Sequence, residues 1–174
     1  MSGDIGDQTR RKLNEAEGYL ELDLPRHALQ ILDSRPEWPN FQFEACLIKG
    51  ESLRRLDRFR EAIPPLETAA NLRPSDSSVA LALGWCYKRT NRLAQAIDAL
   101  DRAGRQNPDN ALLRYNLACY WSLAGNAGRA LDELNAALRL QPVLRALLAD
   151  EPDFHCLRGN PDFDQLALGW APRK

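Results

Sequence analysis

Cys46, Cys86, Cys119 and Cys156 are the side chains of this chain best suited to metal binding or disulfide chemistry, and His27 and His155 are its only histidines. A zinc half-site or a redox pair needs two cysteines a few positions apart. No two of these four come within four residues of each other, so neither arrangement arises. Three of them stand among apolar residues, where cysteine acts as a small hydrophobe, and reduced, packed thiols are expected. The two histidines lie far apart in different segments and read as surface or cap residues. Neither a nucleophile elbow nor a glycine-rich phosphate loop occurs. The expectation is therefore a non-enzyme with no catalytic residues, no cofactor and no metal ligands.

The remaining chemistry is that of recognition. Arg54-Arg55 and Lys88-Arg89 are basic pairs at an interval of 34 residues, and Trp85 lies between Gly84 and Cys86, off the column formed by Leu83 and Tyr87. A tryptophan presented on a surface buries a large rigid area on binding and keeps one polar group. Paired basic residues in register would form one patch that favours an acidic partner. Both readings depend on the elements that carry these residues.

Those elements repeat. Alanine stands at 28, 62, 96 and 130, and each time an apolar residue follows at once and a leucine four positions on: Leu32, Leu66, Leu100 and Leu134. Ala16, Gly50, Gly84 and Ala118 form a second small column, with bulky Tyr19, Leu53, Tyr87 and Trp121 three residues later. Ala69, Ala103 and Ala137 form a third, and Pro74, Pro108 and Pro142 a fourth; the first unit departs with Arg35 and Asn40 in those places. A period of this size marks stacked supersecondary units, none of which buries its apolar face alone. Gly84 and Ala96 suit the depth at which two helices cross closely. Proline closes a unit because it fixes φ and lacks an N–H. Pro64-Pro65 is the exception, falling inside a second helix unless that helix starts late, near Phe59 or Arg60.

With these small, aromatic and proline columns the chain resembles the tetratricopeptide repeat family, whose unit is a 34-residue helix-turn-helix. The match is fullest over Ser77 to Asn110. The resemblance implies an all-α, right-handed α-solenoid of four repeats plus C-terminal capping helices. It divides the chain into a flexible tail at 1–8, repeats at about 9–42, 43–76, 77–110 and 111–144, and a capping helix and tail over 143–174. In the capping segment, Pro152-Asp153-Phe154 and Pro161-Asp162-Phe163 read as helix starts. Phe154, Leu157, Phe163 and Leu166 would cover the last repeat, as in the closing segments of many bacterial repeat proteins.

The resemblance also implies that unit positions 2, 5, 9, 12 and 13 line a concave groove that takes a ligand. The first unit contributes Arg10, Leu13, Glu17, Leu20 and Glu21, and the second Glu44, Leu47, Glu51, Arg54 and Arg55. The third adds Ser78, Leu81, Trp85, Lys88 and Arg89, and the fourth Leu112, Tyr115, Cys119, Ser122 and Leu123. The expected partner-binding groove centres on Leu47, Arg54, Arg55, Leu81, Trp85, Lys88, Arg89 and Tyr115. Family members that clamp the acidic tails of heat-shock chaperones carry lysine, asparagine and arginine at set groove positions. This chain offers Leu13, Glu17, Ile48, Ser78 and Ala82 there, or Leu47, Glu51, Ala82, Leu112 and Asn116 one unit on, and neither set holds a carboxylate.

Composition agrees with an all-α interaction module. Hydrophobic residues make up 44% and charged residues 27%, with a formal net charge of -1, so bulk attraction to nucleic acid or an anionic membrane is not expected. No stretch approaches the roughly 18 apolar residues of a membrane span, and a cytoplasmic location is expected. The expected role is a scaffold or adaptor that binds a protein or peptide, acidic ones favoured. The alternative is a stable subunit of a larger complex that uses the convex face or an array end, self-association included.

Overall fold

The computed structural model describes residues 2–35 and 37–168, with side chains from residue 6 onward. Among these residues all regular structure is helical. In chain order it comprises α1 (Ser2–Glu21), α2 (Pro25–Asp33), α3 (Gln42–Arg55), α4 (Phe59–Leu72), α5 (Ser77–Arg89), α6 (Leu93–Gln106), α7 (Ala111–Leu123) and α8 (Ala127–Leu140). Two 3-10 helices, Pro142–Leu147 and Pro152–Leu157, and α9 (Pro161–Leu168) complete the order. The chain forms two compact units, Met1–Arg92 and Leu93–Lys174, so the boundary falls in the turn inside the third repeat.

In the first unit α1, α3 and α5 lie side by side as one layer, and α2 and α4 pack against them as the second. The 34-residue columns supply the core. Ala28, Ala62, Leu66 and Ala69 are buried at the inner face of the second helices, opposite Ala16, Gly50 and Gly84 on the first. Gly50 is required by close approach: a Cβ there would meet Leu66 Cδ2 at 2.5 Å, well inside van der Waals contact. Each fully buried leucine of this kind contributes roughly 1.5–3 kcal/mol of hydrophobic stabilisation.

A further column sets the turn between the helices of each repeat. Asp23, Asp57, Asn91 and Gly125 recur every 34 residues and all have positive φ, at 56°, 58°, 61° and 75°. The next N–H, from Leu24, Arg58, Arg92 and Asn126, donates to the carbonyl of Tyr19, Leu53, Tyr87 and Trp121 at 2.8, 2.9, 2.8 and 2.9 Å. This is the Schellman ending of a helix, in which a left-handed residue turns the chain and the last carbonyls are satisfied. Asp, Asn and Gly are the residues that enter that conformation most cheaply.

The first repeat departs for a visible reason. Its second helix, α2, has 9 residues against 14 in α4, and the loop after it folds Trp38 into the core beside Leu13, Leu20 and Ile48. Arg35, in the column that is alanine elsewhere, donates from Nη1 to Thr9 Oγ1 at 2.8 Å and lies over the Trp38 ring. The helix α1 begins at Ser2 and so takes in residues 2–8, set aside above as a tail. No proline interrupts that stretch, and an Asp7–Arg11 ion pair spans one of its turns at 2.9 Å.

Pro64 and Pro65 lie inside α4, which does start at Phe59 and yet leaves both prolines in its second turn. They deprive the carbonyls of Arg60 and Glu61 of their helical donors, and both of those residues are exposed, so water can take over.

In the second unit α7 packs between α6 and α8. The closing segment differs from a continued helix: residues 142–147 and 152–157 are 3-10 helices, and only Pro161–Leu168 is α-helical. Proline begins all three. Asn160 Oδ1 accepts from Asp162 N at 2.9 Å, which caps α9. The second 3-10 helix packs on α7 and the first on α8, and Phe154, Leu157 and Phe163 are buried there, with Leu166 partly so. Met1 and residues 169–174 of the expected tails lie outside the described residues.

Candidate peptide-binding face

The layer of first helices in the first unit presents a surface made from α1, α3 and α5. On α5, Trp85 is 37% exposed. Its neighbours Ala82, Leu83 and Cys86 are buried, so the helix holds the indole in place from below. Leu81, one turn earlier, and Leu47 on α3 are half-buried. Lys88 carries its Nζ 5.2 Å from the Trp85 ring centroid, an arrangement in which the ring's negative face attracts the ammonium. Leu47, Leu81, Trp85 and Lys88 thus combine apolar area with one cation on adjacent helices.

The other basic residues are each engaged. Arg54 forms a fork with Glu51, its Nη2 at 2.8 Å from Oε2 and its Nε at 3.1 Å from the same oxygen. That hydrogen bonding raises the guanidinium pKa, ahead of the opposing effect of burial. Arg55 reaches back to the preceding turn, where Nη1 donates to the Leu20 carbonyl and lies 3.4 Å from Asp23 Oδ1. Arg89 lies over Phe59, the first residue of α4, at 4.9 Å. The position shared by Arg55 and Arg89 therefore fastens one repeat to the one before it. Arg54, Arg55, Lys88 and Arg89 do not form the single solvated patch that their register suggested, because Glu51 and Asp23 stand where two of the charges point.

Leu13 and Leu20 of α1 are core residues rather than groove residues, packed with Ala28, Leu32 and Ile48. The exposed contribution of α1 is Arg10, Glu17 and Glu21.

Tyr115 is displaced from the expected site altogether. It belongs to the second unit, is 5% exposed, and meets the Phe154 ring edge-on at 5.7 Å. Cys119 and Ser122, also expected to line the groove, are buried with it, whereas Leu112 and Leu123 stay exposed. The reason is the second 3-10 helix, which lies on α7 and occupies the side that a ligand would need. The Tyr115 hydroxyl pKa is raised, first by burial and then by the charges of Cys119, Glu151 and Asp153.

The missed features leave sequence signals only in part. The left-handed column Asp23, Asp57, Asn91 and Gly125 was available from the 34-residue period itself. The hydrogen bond from Tyr87 Oη to Glu67 Oε1, 2.5 Å long, joins α5 to α4 and has no counterpart in the repeating pattern.

No helix among the described residues is long and apolar enough to cross a membrane. Comparison with known proteins follows the same lines as the geometry. Residues 53–118 match the family model described as tetratricopeptide repeat. No curated protein sequence matches the chain. Among solved structures, a crystal structure of MamA superposes with a TM-score of 0.72 at 20% identity, covering 78% of this chain and 79% of that one. MamA from Desulfovibrio magneticus RS-1 gives 0.70 at 18% identity, covering 78% and 76%. YrrB, described as a TPR protein with an unusual peptide-binding site, gives 0.67 at 21% identity, covering 73% and 66%. At such identities the likeness concerns the fold: the chain folds as tetratricopeptide repeat proteins do, and residues 53–118 match the model of that family.

Proposed function

We propose that this protein is a non-catalytic interaction module that docks a peptide or partner helix on the α3–α5 face of its first unit. The observation that carries the reading is Trp85, exposed on a helix whose other face is buried, with Lys88 against its ring and Leu81 beside it. Binding energy in such interfaces concentrates in a few aromatic anchors seated on rigid supports. Apolar contact with Leu47, Leu81 and Trp85 supplies the affinity. Lys88 orients the partner and favours an acidic residue in it, while Arg54 and Arg55 are already held by Glu51 and Asp23 and Arg89 lies over Phe59. The peptide-binding relative YrrB supports the class of partner. A scaffold or adaptor role in the bacterial cytoplasm, where buried thiols such as Cys86 stay reduced, fits this reading.

The test is a peptide selected from a random displayed library on the full chain and titrated against wild type and Trp85→Ala. The indole is partly exposed, so the variant should keep its circular dichroism and lose more than about 1 kcal/mol of affinity. Equal affinity in both proteins would remove the face from consideration. Tyr115→Ala is unsuited to this purpose, since it would open the core of the second unit.

One observation favours a second reading, that of a subunit in a larger assembly. Val143, Leu147 and Leu168 expose apolar surface on the closing segment. Nearby, Leu131, Asp132, Arg145, Asp162 and Leu166 line an open cavity of about 720 Å³. Apolar exposure of this kind at an array end is a site for subunit contact. Light scattering on the purified chain and on Val143→Asp separates the two readings: an oligomer that the variant dissolves supports the assembly role.

A further inference from the structure

The packing of the second 3-10 helix on α7 brings together three residues that no spacing in the sequence connects. Cys119 lies on α7 one turn beyond Tyr115, and Glu151 and Asp153 stand at the start of the 3-10 helix. One ligand atom from each of Cys119, Glu151 and Asp153 lies within 4.8 Å of the other two. Cys119 is 3% exposed and Asp153 8%. Asp153 is the only buried acidic or basic residue among the described residues. Glu151 is half-buried and opens the cluster to solvent.

Tyr115 adds an independent observation. Its Oη is buried and has no hydrogen-bond partner. Tyr115 stands one turn before Cys119 on α7, and Cys119, Glu151 and Asp153 are the charged neighbours that act on its hydroxyl. Leaving a buried hydroxyl unsatisfied costs about 1–3 kcal/mol, so such an atom calls for a ligand.

We propose that Cys119, Glu151 and Asp153 bind one divalent metal ion of the zinc class, with a water held by Tyr115 Oη in the fourth position. A tetrahedral site takes sulfur at about 2.3 Å and carboxylate oxygen at about 2.0–2.2 Å, so the three side chains must draw in by about 1 Å. Thiolate ligation selects zinc or cobalt over magnesium and calcium, which prefer oxygen alone. On binding, the Cys119 thiol gives its proton to solvent, and affinity rises with pH. Glu151 Oε1 accepts from Asp153 N at 3.2 Å, which leaves its other oxygen for the metal. The ion would fasten the closing segment to the first helix of the last repeat. This site is independent of the peptide-binding reading, because all its ligands belong to the second unit.

The full chain, freed of metal by a chelator, is titrated with Co²⁺. A thiolate-to-cobalt charge-transfer band that saturates at one ion per chain and is displaced by Zn²⁺ is expected, with a rise in thermal midpoint on adding Zn²⁺. Cys119→Ser should abolish the band. Glu151→Gln keeps an acceptor for the Asp153 N–H and so should fold, yet bind Co²⁺ at least about tenfold more weakly. Cys156→Ser, at the exposed cysteine, should change nothing. No saturable band, a band lost in Cys156→Ser, or full affinity in Glu151→Gln would each overturn the proposal.

Discussion

The Tyr115 and Phe154 rings meet edge to face, their planes 83° apart and their centroids separated by 5.7 Å, and Phe154 lies 5.5 Å from Phe163. This run of aromatics joins the last first-helix to both later pieces of the closing segment. It converts a surface that would bind ligand in an open array into core, and it makes the closing segment part of the fold of the second unit.

Phe154 is fully buried, and its removal leaves a cavity between Tyr115 and Phe163 that the rigid helices cannot close. Phe154→Ala should therefore lose about 3–5 kcal/mol of stability, measured by urea denaturation. The same variant should make Tyr115 accessible to solvent quenching or nitration in the native state. A loss below about 1 kcal/mol would mean that the closing segment is not energetically coupled to the last repeat.

The left-handed column gives a prediction of opposite signs at equivalent positions. Gly125 has φ 75° with nothing within 4 Å of an added Cβ, so the cost of a side chain there is conformational rather than steric crowding. Gly125→Val should lose about 1–2 kcal/mol, the penalty of an L-residue in that region. Asp57→Gly, at φ 58°, relieves the same strain and should leave stability unchanged or slightly raised. Equilibrium denaturation of the two variants against wild type checks both signs.

Alkaline pH should weaken the fold in a defined window. Burial pushes the Cys86 thiol from 9.0 up to about 11, and the Tyr115 hydroxyl is raised as well, first by burial. Both groups are neutral when protonated, so the folded chain keeps protons that the unfolded chain releases. The Cys86 contribution is complete below about pH 9 and is lost as the pH rises toward about 11, while that of Tyr115 begins to fall only above about pH 10. The urea midpoint should fall across that interval, and Cys86→Ala should flatten part of the slope. With iodoacetamide at pH 8, mass spectrometry should find Cys156 modified first and Cys86 protected until the protein unfolds.

Much of the fold was legible because a repeat writes each structural requirement four times. Ala28, Ala62, Ala96 and Ala130 are all fully buried, as their column demanded, since any larger residue would separate two helices. Leu66, Leu100 and Leu134 are fully buried beside them and Leu32 nearly so. The site was less legible. Trp85 stands exposed where its offset from the Leu83–Tyr87 column placed it, while Arg54 and Arg55 turned out to be engaged by Glu51 and Asp23. Charge register along a helix says where a guanidinium starts, but its long side chain reaches whichever carboxylate or carbonyl lies within a few ångströms.

The sequence by itself determined the helical period, the small and bulky columns and the depth of Cys46 and Cys86, because these follow from neighbours within one 34-residue unit. Only the tertiary structure decided that Tyr115 is core, that Arg55 ties α3 to the turn after α1, and that Cys119 meets Glu151 and Asp153. Each of these joins residues about 32 or more positions apart, and contacts of that kind are set by how the elements pack rather than by local pattern.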